Sequence, residues 1–329
     1  MKLAVVGVTG LVGQEILHVL AAHHVPVKTL LPVASADSVG QSLRWLDQDY
    51  KVIGLTEALA AQPTLAIFAA GTAVSTIWGP RFAASGTTVI DNSAAWRMHA
   101  DCKLIVPEVN GHLLQAHDRL IANPNCGTIQ LVMALGPLHQ RYGLKRLVIA
   151  TYQAVTGSGK AGIDQLMAER DGLCNVTQAY PYPIDLNIIP HIDAFLQDGY
   201  TKEEMKLVHE TRKILGDSSL RITATAVRVP VLGGHALAVN VELAKEFDLD
   251  EVIQLLRTSP GINVQNDAIQ HQYPMPIYTR HKDEVFVGRL RRDHSLPNTL
   301  HMWIVADNLR KGAATNAVQI AELMTKRHT

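Results

Sequence analysis

The sequence has 329 residues, enough for two domains, and its 47% apolar and 18% charged residues are typical of a globular protein. Thirty Lys and Arg residues balance thirty Asp and Glu residues, and no basic run supports binding to nucleic acid or to an anionic membrane. We therefore expect a small-molecule partner, with no nucleic acid and no membrane.

The N-terminal part predicts alternating strands and helices. Residues 3–8 form a buried apolar run, residues 9–22 have apolar positions at helical spacing, and a second strand is predicted near 27–33. Further strands are predicted at 65–70, 87–93 and 104–109. This alternation indicates a Rossmann-type, doubly wound parallel sheet, an α/β fold.

The turn "GVTGLVG" lies between the first strand and its helix. Glycine at positions 7, 10 and 13 permits a tight turn and lets a pyrophosphate approach the N–H groups at the helix N-terminus. The alternative is a glycine-rich turn that only packs tightly. The position of the turn after a strand and before a helix favours dinucleotide binding.

Cys126 lies in "IANPNCGTIQ", at the start of a predicted helix. Pro124 prevents the chain from arriving in helical conformation, so the helix begins after it. A thiolate at a helix N-terminus is stabilised by the dipole and becomes nucleophilic, and Asn125 could add a donor. The alternative is a small buried core residue, which is what most free cysteines are.

Beyond Cys126 the strands become longer, at 145–157, 220–230, 235–244, 284–292 and 298–307. Few helices separate them, which predicts an α+β domain with a mixed sheet. The last segment has a helical apolar stripe that we expect to pack on the first domain. We predict a dinucleotide-binding domain at 1–126, completed by a C-terminal helix at 311–329, and a catalytic and dimerisation domain at 127–310.

Neither a disulfide framework nor a metal site is expected. The cysteines at 102, 126 and 174 are odd in number and include no CxxC, and no histidine falls in a spacing such as HExxH. The apolar run "MKLAVVGVTG" is too short for a signal or a membrane span, so we expect a cytoplasmic protein.

Three charged positions leave two interpretations open. Arg228 falls on the apolar face of its strand by period two, where either a ligand anion or a structural carboxylate would satisfy it. His235 follows a turn-prone "VPVLGG", so a hairpin could bring it near Arg228, or it is a loop residue. Glu203 and Lys206 share a helix face, which is usually a solvated surface.

Taken together, the motifs resemble those of the aspartate-semialdehyde dehydrogenase family, which reduces aspartyl phosphate in the lysine, threonine and methionine pathways. The resemblance covers essentially the whole chain. It rests on an ordered set of stretches: "GVTGLVG", "VIDNSAAWRM", "LIVPEVN", "NPNCGTIQ", "TYQAVTGSGK", "NIIPHID", "GYTKEEMK", "VRVPVLGGHA", "VFVGRLRRD" and "VADNLRKGAATNAVQIAE".

The resemblance implies a role for each matching residue. Cys126 would be the nucleophile, Gln153 would orient the reacting group, and His235 would be the acid/base, which requires a pKa near the working pH. Substrate phosphate would bind Arg97 and Lys206, the amino group Glu203 and the carboxylate Arg228. Cofactor contacts would come from Gly7, Thr9, Gly10, Leu11, Val12, Gly13, Ser35, Asp37, Ser38 and Asn308. Arg97 alone would otherwise be interpreted as a solvated residue.

Two positions depart from the family pattern. Gly127 follows the cysteine where the family usually has serine. Asp37, in "ASADSVG", stands where many members have an arginine that holds the 2′-phosphate of NADP, and an acidic residue there is the usual device for NAD. The expected cofactor is therefore NADP, with NAD possible because of Asp37.

The resemblance implies a homodimer or homotetramer that reduces aspartyl phosphate to aspartate semialdehyde through a cysteine thioester. Two alternatives stay open: another thioester-forming acyl-phosphate reductase, such as N-acetylglutamyl-phosphate reductase, or a non-catalytic dinucleotide-binding relative. Glu203 argues against the first, because a carboxylate suits a substrate ammonium. The presence of Cys126, Gln153 and His235 argues against the second.

Overall fold

The structure is a computed structural model that describes residues 1–173 and 177–328. The chain divides into two units: residues 1–125 together with the C-terminal segment from Ala313, and Cys126–Gly312. Cys174 lies outside the described residues, and neither Cys102 nor Cys126 forms a disulfide within them.

The first unit is built on a parallel sheet of six strands in the order β2-β1-β5-β6-β8-β7. This confirms the predicted doubly wound fold. Its elements before Cys126 are β1 (Lys2–Val6), α1 (Leu11–Ala22), β2 (Thr29–Val33), β3 (Ser42–Trp45), β4 (Gln48–Lys51), α2 (Leu55–Ala60), β5 (Leu65–Phe68), α3 (Thr72–Ala84), β6 (Thr88–Asp91), β7 (Lys103–Leu104), α4 (Pro107–Asn110) and β8 (Leu120–Ala122).

Alternating residues of β1 enter two different cores. Leu3 and Val5 belong to one apolar cluster, whereas Ala4 and Val6 belong to the other, which includes Phe82 of α3. Every residue of β5 and β6 is buried. A sheet that is covered on both faces explains why these strands are continuous apolar runs rather than alternating patterns.

Two local predictions in this unit need correction. The strand predicted at 104–109 ends at Leu104, and Pro107 begins the short helix α4, where its missing N–H costs nothing. The hairpin β3–β4 was not predicted. Its turn residues Leu46 and Asp47 both have positive φ, 46° and 59°, as a type I′ turn requires, but the usual Asn-Gly signal is absent.

The second unit contains a mixed sheet of six strands in the order β10-β9-β11-β14-β13-β12. Two pairs are parallel and three antiparallel, which confirms the predicted α+β architecture. Its elements are α5 (Cys126–Tyr142), β9 (Leu144–Gln153), α6 (Gly159–Arg170), α7 (Lys202–Leu215), β10 (Arg221–Arg228), β11 (His235–Leu243), α8 (Leu249–Thr258), β12 (Ile262–Val264), α9 (Pro276–Thr279), β13 (Val285–Arg292) and β14 (Thr299–Ala306).

The two faces of this sheet differ in burial. Helix α5 packs against β9, β11, β13 and β14, and α7 and α8 extend that cover to β10 and to β12 and β13. On the other face, Ala150, Ala238, Asn240, His301 and Trp303 are only half-buried, while their strand neighbours are buried. The helices α5, α7 and α8 therefore cover one face, whereas the other face is less buried.

The hairpin predicted between Arg228 and His235 is wrong. Strand β9 lies between β10 and β11, parallel to the first and antiparallel to the second. The ten residues of β9 are long enough to pair with both neighbours, so the connection from Val229 to Gly234 passes across the end of β9 instead of forming a tight turn.

The C-terminal helix α10 (Thr315–His328) belongs to the first unit. Ala317, Ile320, Ala321 and Met324 are buried in the same apolar cluster as Leu3 and Val5 of β1. A π-helical segment at Arg310–Ala314 precedes it. Across the described residues, no helix combines the length and the hydropathy needed to span a membrane.

Helix α7 begins with a complete capping box. The Thr201 hydroxyl accepts from the Glu204 N–H at 3.3 Å, and Glu204 Oε2 accepts from the Thr201 N–H at 2.7 Å. Glu204 Oε1 also accepts from the Ala226 N–H at 2.9 Å, which fastens α7 to β10. The box therefore fixes the helix that carries Glu203 and Lys206.

Replacing Thr201 by Ala should lower the free energy of unfolding by about 1 kcal/mol, because a buried N–H loses its acceptor. Urea unfolding followed by far-UV circular dichroism measures the change. Thr201→Ser keeps the hydroxyl and should stay within a few tenths of a kcal/mol of the parent protein. An Ala variant with the parent's urea midpoint would show that the cap does not stabilise α7.

Candidate active site

Strand register brings three predicted site residues to one end of the mixed sheet. Arg228 pairs with Gln153 across β10 and β9, and Ala236 pairs with Tyr152 across β11 and β9, so His235 starts β11 at the same end. All three side chains are buried. Residues separated by as many as 82 positions in the sequence are thus neighbours because β9 pairs with both flanking strands.

Cys126 is the first residue of α5 and is half-buried. This is the helix start predicted from Pro124. A Cβ placed on Gly312 would lie 3.1 Å from the Cys126 Cβ, so only glycine leaves the cysteine undisturbed there. Cys102, by contrast, is buried, with its Sγ 3.3 Å from the Leu120 carbonyl oxygen. The two cysteines therefore differ in access, and Cys126 is the one at a helix N-terminus.

Arg228 is a buried cation with little internal neutralisation. Its Nη1 donates to the Ala154 carbonyl at 2.6 Å and its guanidinium lies 5.8 Å from the Tyr180 ring centroid, but its Nε has no partner. In the described part of the chain no carboxylate forms an ion pair with it. Burial lowers the pKa of Arg228, and Tyr180, Glu203 and Cys126 oppose that shift.

A buried guanidinium without a carboxylate favours an external anion as its partner. The alternative of a structural carboxylate is therefore the weaker interpretation of Arg228. Its position after Ala224 and Ala226, both buried, agrees with the period-two pattern.

His235 is fully buried, and one of its ring nitrogens has a fixed partner. The Ala154 N–H donates to Nδ1 at 3.1 Å, so Nδ1 is an acceptor and the hydrogen of the neutral ring lies on Nε2. Among the described residues, Nε2 has no hydrogen-bond partner. Burial lowers the pKa of His235 well below its ordinary value, and the Arg228 cation lowers it further. At pH 7 the ring is therefore neutral, with Nε2–H as a donor.

Gly157 keeps the space between these two side chains open. A Cβ at this residue would lie 2.8 Å from Arg228 Nη1 and 3.1 Å from His235 Nε2. Both polar groups therefore face the same small space. Gly157 lies within the stretch "TYQAVTGSGK", but the sequence analysis gave it no role, because a glycine needed for space cannot be distinguished from one needed for a turn.

A chain of polar contacts starts at Gln153 and leads to helix α7. Gln153 Nε2 donates to Glu203 Oε1 at 3.1 Å, and the other oxygen of Glu203 accepts from Lys206 Nζ at 3.0 Å. Lys206 also donates to Asp193 Oδ2 at 2.8 Å. Glu203 is buried, so the solvated surface pair considered from the sequence is not what the fold forms. Asp193 was missed because nothing in the sequence indicates which residue meets Lys206.

Asn308 is buried and oriented by two contacts in the second unit. Its Oδ1 accepts from the Thr156 hydroxyl at 3.0 Å and from the Gly234 N–H at 3.3 Å. Thr156 and Gly234 directly precede Gly157 and His235 in the sequence. Asn308 therefore contacts both loops that border the space between Arg228 and His235.

In the first unit, the glycine turn is tightly packed against neighbouring backbone. Gly7 has φ of 86°, and a Cβ there would lie 2.5 Å from the Ala69 carbonyl oxygen. A Cβ on Gly13 would lie 2.2 Å from the Gly7 carbonyl oxygen, so α1 packs directly on the turn. Gly10 is the N-cap of α1, followed by the half-buried Leu11 and Val12.

A cavity of about 350 Å³ lies beside this turn and is lined by Gly7, Thr9, Gly10, Ser35, Ala69 and others. Asp37 and Ser38 follow in a short 3-10 turn, Ala36–Ser38, with Asp37 exposed and Ser38 half-buried. Four of the nine cofactor residues predicted in this unit thus line the cavity, while Asp37 lies at the surface.

Arg97 and Asn125 are both buried in the first unit. Arg97 Nε donates to the Asn123 carbonyl at 3.0 Å and an Nη donates to the Asn92 carbonyl at 2.7 Å. The interpretation of Arg97 as a solvated residue was therefore wrong, because two strand-end loops offer it carbonyl oxygens. Among the described residues, no group of three or more His, Cys, Asp or Glu side chains is arranged to hold a metal ion.

Two family profiles match the chain. The profile described as "Semialdehyde dehydrogenase, NAD binding domain" matches residues 2–117, and the one described as "Semialdehyde dehydrogenase, dimerisation domain" matches residues 135–311. Aspartate-semialdehyde dehydrogenase of Aquifex aeolicus is 45% identical over 333 residues, covering 99% of this chain and 98% of that relative.

Solved structures give the same result. The crystal structure of aspartate semialdehyde dehydrogenase II from Vibrio cholerae has a TM-score of 0.95 and 42% sequence identity, covering 100% of this chain and 99% of that one. The structure of that protein complexed with ASA has a TM-score of 0.96 and 41% identity over the same shares of both chains.

Proposed function

Because the chain belongs to the aspartate-semialdehyde dehydrogenase family, we propose that it catalyses the NADP-dependent, reversible reductive dephosphorylation of aspartyl phosphate to aspartate semialdehyde. The observation that carries the proposal is the pair Arg228 and His235. A buried guanidinium that no carboxylate pairs with and a partnerless imidazole Nε2 face one space. That combination suits a small anionic substrate with a reacting oxygen.

Cys126 provides covalent catalysis. Its thiolate attacks the acyl carbon, the C–S bond forms, and the C–O bond to phosphate breaks to leave a thioester. The cofactor, when bound, supplies the hydride that reduces this thioester. The resulting thiohemiacetal oxyanion collapses, the C–S bond breaks, and the aldehyde leaves with the thiolate regenerated. The start of α5 stabilises that thiolate through the positive end of the helix dipole.

His235 acts on the reacting oxygen through Nε2. In the ligand-free protein this atom carries the hydrogen, because Nδ1 accepts from Ala154, and it can stabilise the oxyanion of each tetrahedral intermediate. Burial is the main cause of the lowered pKa of His235, and the Arg228 cation adds to it. A substrate carboxylate on Arg228 would neutralise that cation and reverse part of the shift, which favours proton exchange by His235.

The remaining residues recognise the substrate. Arg228 binds the carboxylate, and Glu203, held by Gln153, meets the ammonium. Lys206 binds the phosphate on the side of the second unit. The further assignments of Arg97 to phosphate and of Asn125 to the reacting centre rest on the resemblance in sequence.

The closest rival is an N-acetylglutamyl-phosphate reductase, whose substrate has no free amino group. The buried carboxylate of Glu203 would then face an amide without a charge to pair with. An assay of phosphate-dependent oxidation separates the two activities. We expect turnover of aspartate semialdehyde to exceed that of N-acetylglutamate semialdehyde by roughly a thousandfold or more, and the reverse preference would refute the assignment.

Cys126→Ser should remove turnover almost completely while the cofactor still binds, since an alkoxide is not available near neutral pH. Turnover of aspartate semialdehyde and cofactor fluorescence titration measure the two properties. Cys102→Ser, at the buried cysteine, is the matched control and should keep its kcat. Retention of more than about a tenth of the parent activity by the Cys126 variant would exclude it as the nucleophile.

The first unit fits a nicotinamide dinucleotide. The turn at Gly7 and the N-terminus of α1 border the cavity, and Ser35 lines it, whereas Asp37 is exposed. A carboxylate near a 2′-phosphate is repulsive, but near a free ribose hydroxyl it accepts a hydrogen bond. We propose NADP as the cofactor, with weaker discrimination against NAD than in relatives that carry arginine in place of Asp37.

Asp37→Arg should raise kcat/KM for NADP relative to NAD by roughly tenfold, or about 1.4 kcal/mol. Steady-state kinetics with each cofactor measure this ratio in the parent and the variant. Asp47→Arg introduces the same charge change in the exposed β3–β4 turn and should leave the ratio unchanged. A strong preference of the parent enzyme for NADP, together with no gain in the Arg variant, would mean that Asp37 does not face the ribose.

We propose a homodimer formed through the half-buried face of the mixed sheet. Helices α5, α7 and α8 cover the opposite face, whereas a cavity of about 440 Å³ opens on this one, lined in part by Ala238, His301 and Trp303. The profile that describes a dimerisation domain spans this sheet. Self-association of two such faces would bury the half-buried apolar residues there.

Ala238→Glu should shift the protein from dimer to monomer, because a larger side chain with a carboxylate would have to be accommodated and desolvated in the contact. Sedimentation velocity measures the mass. Gln254→Glu adds the same charge to α8, which packs on the opposite face, and should stay dimeric. A dimeric Ala238→Glu variant would show that the subunits meet through another surface.

A further inference from the structure

Lys206 is held between two carboxylates. Its Nζ lies 3.0 Å from Glu203 Oε2 and 2.8 Å from Asp193 Oδ2. Burial acts to lower the pKa of Lys206, but Glu203 and Asp193 outweigh it and the pKa is raised. The pKa of Asp193 is lowered although burial opposes the shift, because Lys206 and the Ala194 N–H bind the carboxylate and Lys202 adds its charge. All three groups are therefore charged at neutral pH.

The two carboxylates differ in how firmly they are held. Glu203 has a side chain that is only 6% exposed, and Gln153 binds its second oxygen. Asp193 has a side chain that is 35% exposed, and it lies in the segment between α6 and α7. If an anion competes for Lys206, Asp193 is the carboxylate that can move away, because water can solvate it.

The backbone of Asp193 fixes the direction of its side chain. Its φ is 67°, a left-handed conformation in which Asp and Asn are strongly favoured among residues with a side chain. Asp193 Oδ1 accepts from the N–H of Ala194, while Oδ2 meets Lys206. The loop is closed by an antiparallel bridge between Phe195 and Thr201 at the start of α7. Asp193 is thus directed at Lys206 by its own backbone conformation.

The two carboxylates beside Lys206 Nζ disfavour the binding of a phosphate there. One ammonium faces two carboxylates, so an incoming phosphate meets a net negative group. Exchange of Asp193 for phosphate removes this conflict, and the ammonium of the substrate would satisfy Glu203 at the same time. Lys206 would then stay paired with Asp193 and Glu203 until groups of the substrate replace these partners.

We propose that Asp193 is a positioning residue that holds Lys206 in the substrate-free enzyme and competes with phosphate for it. The inference rests on the proposed function, in which Lys206 binds the substrate phosphate. Asp193 therefore weakens phosphate binding. In the reductive direction, its return to Lys206 assists release of the phosphate product.

The test uses the oxidative direction, in which inorganic phosphate is a substrate whose concentration can be varied. Asp193→Asn keeps the left-handed backbone and an acceptor oxygen but removes the charge. With aspartate semialdehyde and cofactor saturating, the KM for phosphate should fall about fivefold, which corresponds to about 1 kcal/mol for a partly exposed charge pair. The kcat and the KM for aspartate semialdehyde should change by less than about twofold, a split that a merely structural role would not produce.

Two further variants separate the possible failures. Asp198→Asn lies on the same loop and removes an exposed carboxylate whose Oδ1 accepts only from the Tyr200 N–H among the described contacts, so its phosphate KM should equal the parent's. Lys206→Gln should raise the phosphate KM at least tenfold. If it does not, the assignment of Lys206 in the proposed function fails. If it does, and the phosphate KM of Asp193→Asn is unchanged or higher than the parent's, the competition by Asp193 is refuted.

Discussion

The backbone of a single residue, Ala154, organises the charged centre of the second unit. Its carbonyl oxygen accepts from Arg228 Nη1 and its N–H donates to His235 Nδ1. One peptide segment thus sets the position of a buried cation and the tautomer of a buried imidazole. Because backbone groups cannot change protonation and move little, this arrangement is ready before any ligand arrives, which is the preorganisation that electrostatic catalysis requires.

The charged residues of the second unit differ in the partners that they contact. Lys206 lies between the carboxylates of Glu203 and Asp193, whereas the partners of Arg228 among the described residues are a backbone carbonyl and an aromatic ring. Burial lowers the pKa of His235, and the Arg228 cation lowers it further. The protonation of the imidazole therefore depends in part on the charge around the neighbouring guanidinium.

Periodicity and glycine placement predicted the parallel sheet, the mixed sheet, the turn at Gly7 and the start of α5 at Cys126, since these depend on local backbone preferences. Contacts set by strand order could not be predicted. Strand β9 lies between β10 and β11, so these two strands do not form the expected hairpin. The contact of Asp193 with Lys206 is likewise known only from the structure. Arg97 was misjudged because backbone carbonyls, which leave no mark in a sequence, are its partners.

The helix α10 has a consequence for how the chain acquires its structure during synthesis. Its apolar residues share one cluster with β1, so β1 and a helix that is made after the whole second unit complete the same core. The second unit, continuous from Cys126 to Gly312, contains all its own strands and has left the ribosome before that helix appears. Part of the apolar surface of the first unit therefore stays exposed until α10 has been made, while the second unit can already fold.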